Sequence, residues 1–429
     1  MAMVVKNNMS AISTLNTLNK NSSALSKSLQ KVSSGMKING AADDASGYAI
    51  SERMRVQIRG LDQANQNTQN GSSMMKVAEG AVSSTVDILK TLKEKVINAA
   101  NDTNTDADRQ TIQKELDQSI DQINDNANVT YNGKYLVDGS HNSSVTATTT
   151  AMTNQSLSTS TKFDSTFNTL TDRNGNSLNI QSSDTVTLSY VKEGITYTTT
   201  AKGSDKMSDL LDKAAELAKG GESSVIGKDV AGDTVFTADG KSGLTIAAAK
   251  SGVEGQISGI TFSVTDTKGN VKKSANALLD NFSESIRAQN GSLDNSINLQ
   301  VGTKSNQAIK VGLTDMRAEA LGLQAKDGKT LNISTKDYAN AAINVLDNAV
   351  QKALDQQTTI GAVQSRLEYT SSNLTTASEN VQASESTIRD ADMAKEMTNY
   401  TKNNVLMQAA QAMLSQANQS SSSVLSLLQ

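Results

Sequence analysis

Residues 15–32, LNTLNKNSSALSKSLQKV, place apolar side chains three and four positions apart, and residues 406–427, LMQAAQAMLSQANQSSSSVLSL, repeat this spacing near the other end of the chain. Residues so spaced fall on one side of an α-helix, and a mean spacing of about 3.5 keeps a narrow seam against a partner helix. A seam this narrow cannot bury itself alone, so the sequence predicts that both ends act in assembly rather than in catalysis. The seam comprises Leu15, Leu18, Leu25, Leu29 and Val32 in the first stretch and Leu406, Ala410, Met413, Ala417, Val424 and Leu427 in the second.

Long amphipathic helices are predicted in the N-terminal part of the chain. The first runs from Asn8 to about Gly35, and the second follows Asp43 and Asp44 and runs to about Ala100. Aspartate is typical of a helix start, because its side chain accepts hydrogen bonds from otherwise free N–H groups. A third helix carries its apolar residues at Ile112, Leu116, Ile120 and Ile123.

A long helix with a break is predicted in the C-terminal part. Residues 336–391 follow a helical pattern with a heptad spacing in their second half, and Lys395 and Thr398 then interrupt the apolar row. A register break is a place where a helix can change partner or direction. The sequence therefore predicts a domain joint there, opposite the irregular stretch Gly35–Gly40.

Strand signals occur at two hairpins and through the middle of the chain. Asn132-Gly133 tolerates the positive φ of a tight hairpin turn, and residues 297–313 alternate like a second hairpin. Between residues 141 and 295, called the insert below, serine and threonine dominate and short alternating runs favour an α+β domain. Strands are expected at residues 186–190, 195–199, 235–236, 244–246 and 260–264, with one helix from Met207 to Lys219.

Composition excludes several classes of protein. The chain has no cysteine and no proline, which excludes disulfides, suits uninterrupted helices and removes slow cis/trans isomerisation from refolding. Acidic and basic residues are mixed, with a formal net charge of −4, so we expect no nucleic-acid binding. We also expect no membrane span. The first residues lack the pattern of a cleavable secretory signal, which predicts a cytoplasmic protein or export by another route.

Candidate catalytic groups are few. The single histidine, His141, lies in a polar loop, so we expect neither a serine or cysteine triad nor a two-histidine metal site. Asp172, Asn174 and Asn176 have the spacing of a calcium loop, but Ser177 takes the place of its glycine and the final glutamate is missing. The sequence predicts no catalytic, metal-binding or cofactor-binding set, and hence no enzyme.

Two longer stretches resemble a known family. Residues 29–50, LQKVSSGMKINGAADDASGYAI, with Asn8-Met9-Ser10-Ala11, closely resemble the N-terminal signature of bacterial flagellin. Residues 409–419, AAQAMLSQANQ, with VLSLLQ at 424–429, resemble its C-terminal signature. The resemblance covers about residues 1–140 and 296–429, and it does not extend to the insert.

The resemblance implies a mainly α fold with nested, discontinuous domains. Residues 1–45 with 389–429 would form an inner coiled-coil polymerisation domain. Residues 46–140 with 296–388 would form a surrounding helical domain with a β-hairpin. The insert, 141–295, would be a variable, surface-exposed α+β outer domain.

The resemblance also implies a function. The chain would be a structural subunit that self-assembles head to tail into the bacterial flagellar filament, and would be exported unfolded through the flagellar secretion channel to an extracellular location. Its partners would be further copies of itself, a secretion chaperone on the C-terminal helix, and the cap and hook-junction proteins. From the residues alone, we expect the narrow terminal seams to gain order only on packing.

A flagellin-sensing Toll-like receptor is a further partner implied by the resemblance. Glu94 and Glu115 agree with the family pattern, whereas Thr91 stands where arginine is usual and Lys95 where leucine is usual. These departures predict a weak ligand, because a bidentate cation and an apolar anchor are lost. The matching receptor face comprises Leu89, Lys90, Thr91, Leu92, Lys93, Glu94, Lys95 and Glu115.

Three alternatives stay open. A hook–filament junction protein shares terminal motifs, but the long C-terminal signature favours a filament subunit. A flagellin with a peptidase insert would need two metal-binding histidines, and the insert has only His141. A surface adhesin or receptor ligand is supported only by the Ser/Thr-rich insert.

Overall fold

The computed structural model describes residues 8–217, 226–227 and 243–427. Eight α-helices occur in this part of the chain: α1 Met9–Ser34, α2 Ala45–Ala99, α3 Asp106–Ala127, α4 Met207–Leu217, α5 Lys273–Leu279, α6 Ala318–Leu321, α7 Lys336–Arg389 and α8 Met393–Leu427. The strands are β1 Thr130–Tyr131, β2 Lys134–Tyr135, β3 Ala151–Asn154, β4 Thr185–Lys192, β5 Ile195–Lys202, β6 Ile226–Gly227, β7 Thr245–Ala248, β8 Ile257–Thr265, β9 Phe282–Ile286, β10 Ile297–Gln300 and β11 Ala308–Val311. The predicted class is confirmed: long helices from both ends, β-hairpins and an inserted α+β region.

The chain divides into two compact units, and each is discontinuous in sequence. The first contains Met1–Thr68, Gln300–Gln307 and Tyr369–Gln429, and the second contains Gln69–Leu299 and Ala308–Glu368. Both chain ends thus belong to one unit. The three-domain division given above stays a prediction.

The helix boundaries follow from local side-chain chemistry. Asn8 caps α1 by accepting a hydrogen bond from the Ala11 N–H at 3.0 Å, and Gly35 ends it with a φ of 70°. The Asp44 carboxylate accepts from the N–H groups of Ser46 and Gly47, each at 3.0 Å, and so starts α2. The predicted bounds of both helices are confirmed to within a residue or two.

The C-terminal helix break lies earlier than predicted. Helix α7 ends at Arg389 and α8 begins at Met393, so Lys395 and Thr398 are exposed residues in the first turns of α8. Asp392 is the physical reason, because its carboxylate accepts from the Ala394 N–H at 3.0 Å and starts a new helix there.

Both predicted hairpins are present. The β1–β2 turn has φ values of 49° at Asn132 and 76° at Gly133, as a type I′ turn requires. Strands β10 and β11 pair within the predicted 297–313 segment. In the first unit, the Asn67 side-chain amide donates to the Gln300 carbonyl at 3.1 Å and holds the loop of this second hairpin on α2.

The insert has two antiparallel sheets around one apolar core. One sheet has the order β5-β4-β8 and the other the order β6-β7-β3-β9. Tyr190, Phe167 and Phe262 are fully buried, and the Tyr190 hydroxyl donates to the Ala214 carbonyl at 2.9 Å. Four of the predicted strands fall on β4, β5, β7 and β8, whereas residues 235–236 and the end of the predicted helix at Lys219 lie outside the described residues.

The two ends of the insert run side by side. The Val145 N–H donates to the Ser292 carbonyl at 3.0 Å and the Ser292 N–H donates back at 2.9 Å. The Thr148 N–H donates to the Gln289 carbonyl at 3.1 Å. These paired stems connect the sheets of the insert to the flanking chain.

In the first unit, α2 packs against α7. Leu61, Ala64 and Leu374 form a small buried cluster, with Ala377 and Val381 packed against it. Leu374, Ala377 and Val381 belong to the predicted heptad row of α7. The structure therefore confirms that this row faces another helix. None of the helices in the described chain is both long and apolar enough to cross a membrane.

Asp280 generates a pH prediction for the insert. Burial raises the pKa of its carboxyl from 3.8 to about 7, while its hydrogen bond from the Phe262 N–H acts in the opposite direction. Between about pH 4 and 7 the folded chain therefore holds a proton that the unfolded chain has lost, and stability falls as pH rises through that window. We expect Asp280→Asn to gain stability relative to the unsubstituted protein from pH 4 to 7.5, by up to roughly 4 kcal/mol in urea unfolding.

The control is Asp164→Asn, which alters a carboxyl group whose side chain is 83% exposed. It should show the same pH dependence as the unsubstituted protein. If the stability of Asp280→Asn changed with pH in the same way as that of the unsubstituted protein, the pH dependence could not be assigned to Asp280.

Candidate assembly interface

The two terminal helices pack against each other in antiparallel fashion. The Asn8 side-chain amide donates to the Ala417 carbonyl at 3.2 Å, and that of Asn21 donates to the Leu406 carbonyl at 3.2 Å. Further along, the Asn403 amide donates to the Ser28 hydroxyl at 3.2 Å. These hydrogen bonds fix the register of α1 against α8.

The inward faces of this pair mix polar and apolar residues. Among the described residues of the two helices, only Ser28 and Ala410 are fully buried, and the other inward residues are half-buried. On α1 the inward residues repeat every three or four positions: Ala11, Thr14, Leu18, Asn21, Leu25, Ser28 and Val32. On α8 they are Asn403, Met407, Ala410, Leu414 and Ala417.

The structure divides the predicted seam into two groups. One group lies in the contact between α1 and α8 and comprises Leu18, Leu25, Val32, Ala410 and Ala417. The other points to solvent in the single chain, with exposures of 45% for Leu15, 51% for Leu29, 41% for Leu406 and 63% for Met413. Val424 and Leu427 lie in α8, but their side chains are outside the described residues.

The division has a physical reason. Leu18, Leu25 and Val32 recur every seven residues, so they belong to both of the two heptad rows that α1 could present to a partner helix. One row uses Leu15 and Leu29 and is the more apolar, whereas the other uses Asn21 and Ser28. The structure selects the second row, because Asn21 and Ser28 hydrogen-bond across to α8. On α8 the sequence pattern favoured Leu406 and Met413. The residues that face α1 are Met407 and Leu414, each one position further along the chain.

Both helices of the pair leave large apolar side chains exposed. We use the name outer row for seven of them: Met9, Ile12, Leu15 and Leu29 of α1 with Val405, Leu406 and Met413 of α8. Several apolar side chains left exposed along two packed helices indicate an interaction surface.

The two chain breaks meet beside each other. Met36 and Asp390 form an antiparallel bridge, in which the Lys37 N–H donates to the Arg389 carbonyl at 2.7 Å and the Ala391 N–H donates to the Gly35 carbonyl at 2.9 Å. We call this bridge the joint. It lies where α1 ends and α8 begins.

The predicted receptor face has two buried members. Leu89 and Leu92 are fully buried in the second unit, whereas Lys90, Thr91 and Glu94 are exposed. Such burial leaves only the polar members available at the surface.

The three lysines of the predicted receptor face form ion pairs within the chain. The Lys95 ammonium lies 2.9 Å from a Glu115 carboxylate oxygen, and Lys93 forms an ion pair with Asp347. The Lys90 ammonium lies 3.3 Å from Asp87.

The calcium-like loop is a closed turn. The Asp172 carboxylate accepts from the N–H groups of Asn174 and Asn176, each at 2.8 Å, and from the Asn176 side-chain amide at 3.0 Å. These hydrogen bonds, that of the Asn176 side chain first, hold the pKa of Asp172 below its usual value. The His141 Nδ1 lies 3.2 Å from the Asn295 carbonyl oxygen. Across the described part of the chain, no group of three potential ligands is placed to bind a metal.

Both ends of the chain match family models. Residues 5–142 match the bacterial flagellin N-terminal helical region, and residues 343–428 match the bacterial flagellin C-terminal helical region. The chain is also 36% identical over 419 residues to a flagellin of Clostridium tyrobutyricum, an alignment that covers 97% of this chain and 99% of the relative. The chain belongs to the bacterial flagellin family.

Other relatives agree with this assignment. A flagellin of Bacillus subtilis is 30% identical over 446 residues, with 99% of this chain and all of the relative covered. Among solved structures, flagellar hook associated protein-3 of Legionella pneumophila aligns over 78% of this chain and 97% of its own, at 14% identity and a TM-score of 0.34. That score is too low to bear on the fold. This flagellin is a structural subunit of the flagellar filament, which is extracellular, and it is not an enzyme.

Gly35, which ends α1, allows a test of how this left-handed residue contributes to the stability of the terminal helices. Gly35 has a φ of 70°, which L-residues adopt at a cost of roughly 1–2 kcal/mol, although nothing lies within 4 Å of an added Cβ. We expect Gly35→Ala to lower the stability of the terminal helices by about 1 kcal/mol, measured by urea titration of far-ultraviolet circular dichroism on filaments.

Gly40 supplies the matched control. It also has no atom within 4 Å of an added Cβ, and its φ is not positive. Gly40→Ala should leave the midpoint unchanged or raise it slightly. Equal effects of the two substitutions would show that the left-handed cap does not matter.

Proposed function

We propose that copies of this flagellin polymerise through the outer row of the α1–α8 pair. The observation that carries the proposal is the exposure of Leu15, Leu29, Leu406 and Met413 in the single chain. Fully burying a side chain of this size contributes roughly 1.5–3 kcal/mol, so a row of half-exposed residues supplies several kilocalories per contact. Contacts of this kind that do not close into a ring produce an open helical filament.

The proposal assigns an inner position in the filament to residues 1–45 with 389–429. Within one chain, α1 and α8 bury few apolar residues against each other, and neighbouring copies complete the shelter. We infer that the terminal helices gain order as subunits add, because such a pair gains most of its apolar contacts from outside the chain. The joint, in contrast, is bridged by hydrogen bonds within the single chain.

We test the proposal by polarity changes in the outer row. Leu15→Ser with Leu29→Ser removes apolar surface that is exposed in the monomer, so the monomer should keep its circular dichroism spectrum. Seeded polymerisation, followed by light scattering and negative-stain electron microscopy, should be slowed at least about tenfold, since each lost contact weakens association by about 1 kcal/mol or more.

Leu293→Ser is the matched control, because Leu293 is 83% exposed and lies in the insert. It should polymerise like the unsubstituted protein. Normal growth of the Leu15/Leu29 variant would overturn the role given to the outer row.

We further propose that the chain is exported unfolded through the flagellar secretion channel. The absence of proline and cysteine supports this, because neither slow isomerisation nor disulfide exchange then delays refolding outside. A secretion chaperone would cover α8, whose exposed Val405, Leu406 and Met413 need shelter before assembly. The cap and hook-junction proteins would be contacted at the ends of the filament.

We propose weak activity at a flagellin-sensing Toll-like receptor. Thr91 presents a hydroxyl whose hydrogen is donated to the Asp87 carbonyl at 3.0 Å, rather than a bidentate cation. Lys95 is occupied by Glu115, so two of the expected contact residues already bind each other. Leu89 and Leu92 support the helix from inside and lie out of reach of a partner.

A reporter-cell assay tests this weakness. We expect Thr91→Arg with Lys95→Leu to raise potency by on the order of tenfold or more, because each change supplies a contact of the hot-spot kind. Thr103→Arg adds the same charge at another exposed position and should leave potency unchanged. Full potency of the unsubstituted protein would show that Thr91 and Lys95 do not limit binding.

A further inference from the structure

Arg389 occupies an unusual position at the end of α7. Its side chain is only 6% exposed, and its Nη1 lies 2.7 Å from a Glu52 carboxylate oxygen and 3.4 Å from the Ser51 hydroxyl. The guanidinium carbon also lies 5.6 Å from the centre of the Tyr48 ring. All three contacts are in the first two turns of α2.

The main chain of the same residue belongs to the joint. The Arg389 carbonyl accepts from the Lys37 N–H, which follows the end of α1. One residue therefore holds the start of α2 with its side chain and the end of α1 with its backbone.

The Arg389 guanidinium has few partners that can hold it in place. Its Nε has no hydrogen-bond partner among the described residues, so Glu52 and Tyr48 supply most of its stabilisation. The Arg389 guanidinium holds the pKa of Glu52 below its usual value. A buried guanidinium that lies over a ring and is paired with a carboxylate tolerates little rotation.

The neighbouring charges are already engaged. Arg55 lies 3.4 Å from Glu52 and 3.9 Å from Glu385, and the Asp390 carboxylate accepts from the Ser386 hydroxyl at 2.6 Å. These groups surround the contact, but none of them replaces the Arg389 guanidinium on Glu52 and Tyr48 together.

We propose that Arg389 is the positioning residue of the joint, fixing the direction in which the α1–α8 pair continues from α2 and α7. This inference rests on the proposed polymerisation through the outer row. If the direction of the terminal pair is fixed within each subunit, then successive subunits repeat the same geometry, whereas a variable direction makes neighbouring subunits differ and bends the filament irregularly.

The first test uses the single chain and does not depend on polymerisation. Met36 and Asp390 are a non-hydrogen-bonded antiparallel pair, whose Cα atoms lie about 4.5 Å apart in such ladders and suit a disulfide. The chain has no cysteine, so Met36→Cys with Asp390→Cys gives a clean cross-link probe of joint closure. Adding Arg389→Gln should slow cross-linking by about tenfold, the effect of losing a charge-assisted hydrogen bond.

The second test uses filaments of chains without the cysteines. Arg389→Gln should polymerise to a similar yield, but cryo-electron microscopy should show a broader distribution of curvature along each filament. Arg389→Lys keeps the charge and loses the planar stack, so it should give an intermediate cross-linking rate and an intermediate spread of curvature.

Arg53→Gln is the matched control, because Arg53 is an exposed arginine on the same helix, α2. It should change neither readout. Unchanged cross-linking together with unchanged curvature in Arg389→Gln would overturn the inference while leaving polymerisation intact. If the unsubstituted protein formed no filaments, polymerisation through the outer row would fail, and the cross-linking rate would still decide the role of Arg389.

Discussion

The contact between α1 and α8 is the interaction that holds the two ends of the chain together, and it is an incomplete one. Hydrogen bonds from Asn21 and Asn403 set the register of the two helices. Such bonds contribute only about 1 kcal/mol each, because water competes for the same groups in the unfolded chain. Apolar side chains that would add more are turned outward. The register of the pair is thus fixed within the chain, and we propose that neighbouring copies supply the apolar contacts that it lacks.

The insert, in contrast to the terminal pair, has a large apolar core. Its core contains Phe167, Tyr190 and Phe262, all fully buried, and its two sheets enclose a continuous apolar cluster. Large buried side chains of this kind give the insert an apolar core that the terminal helix pair lacks. The same chain therefore combines a middle that has a large apolar core with ends that bury few apolar residues, and this contrast is visible in composition, since the buried aromatic residues lie in the middle.

Much of the helical framework could be predicted from the sequence, because helix ends are decided by a few local side chains. Asn8, Gly35 and Asp44 act within three or four residues of their own positions, so the boundaries of α1 and α2 were predictable. The break after α7 was placed a few residues too late, because the periodicity shows where an apolar row stops but not where a cap such as Asp392 restarts the helix.

Other features needed three dimensions. All four residues of β3 are buried, so the strand lacks the alternation that a sequence pattern can detect. Of the two apolar rows available to α1, hydrophobicity favoured the one through Leu15, whereas cross-helix hydrogen bonds selected the one through Asn21. The role of Arg389 was likewise hidden, because its partners Tyr48 and Glu52 lie more than three hundred residues away in sequence.

The paired stems at the base of the insert have a consequence for how such chains diversify. Because the Thr148 and Gln289 stems are held together by main-chain hydrogen bonds, whatever lies between them enters and leaves at one point. A segment of different length can join the chain there if its two ends emerge a strand's width apart and if it keeps the carbonyl groups that Ser258 and Ile260 present to Asn348 and Asn344 of α7. The stems therefore set where the chain can change in length, and α7 sets which contacts a changed segment must still make.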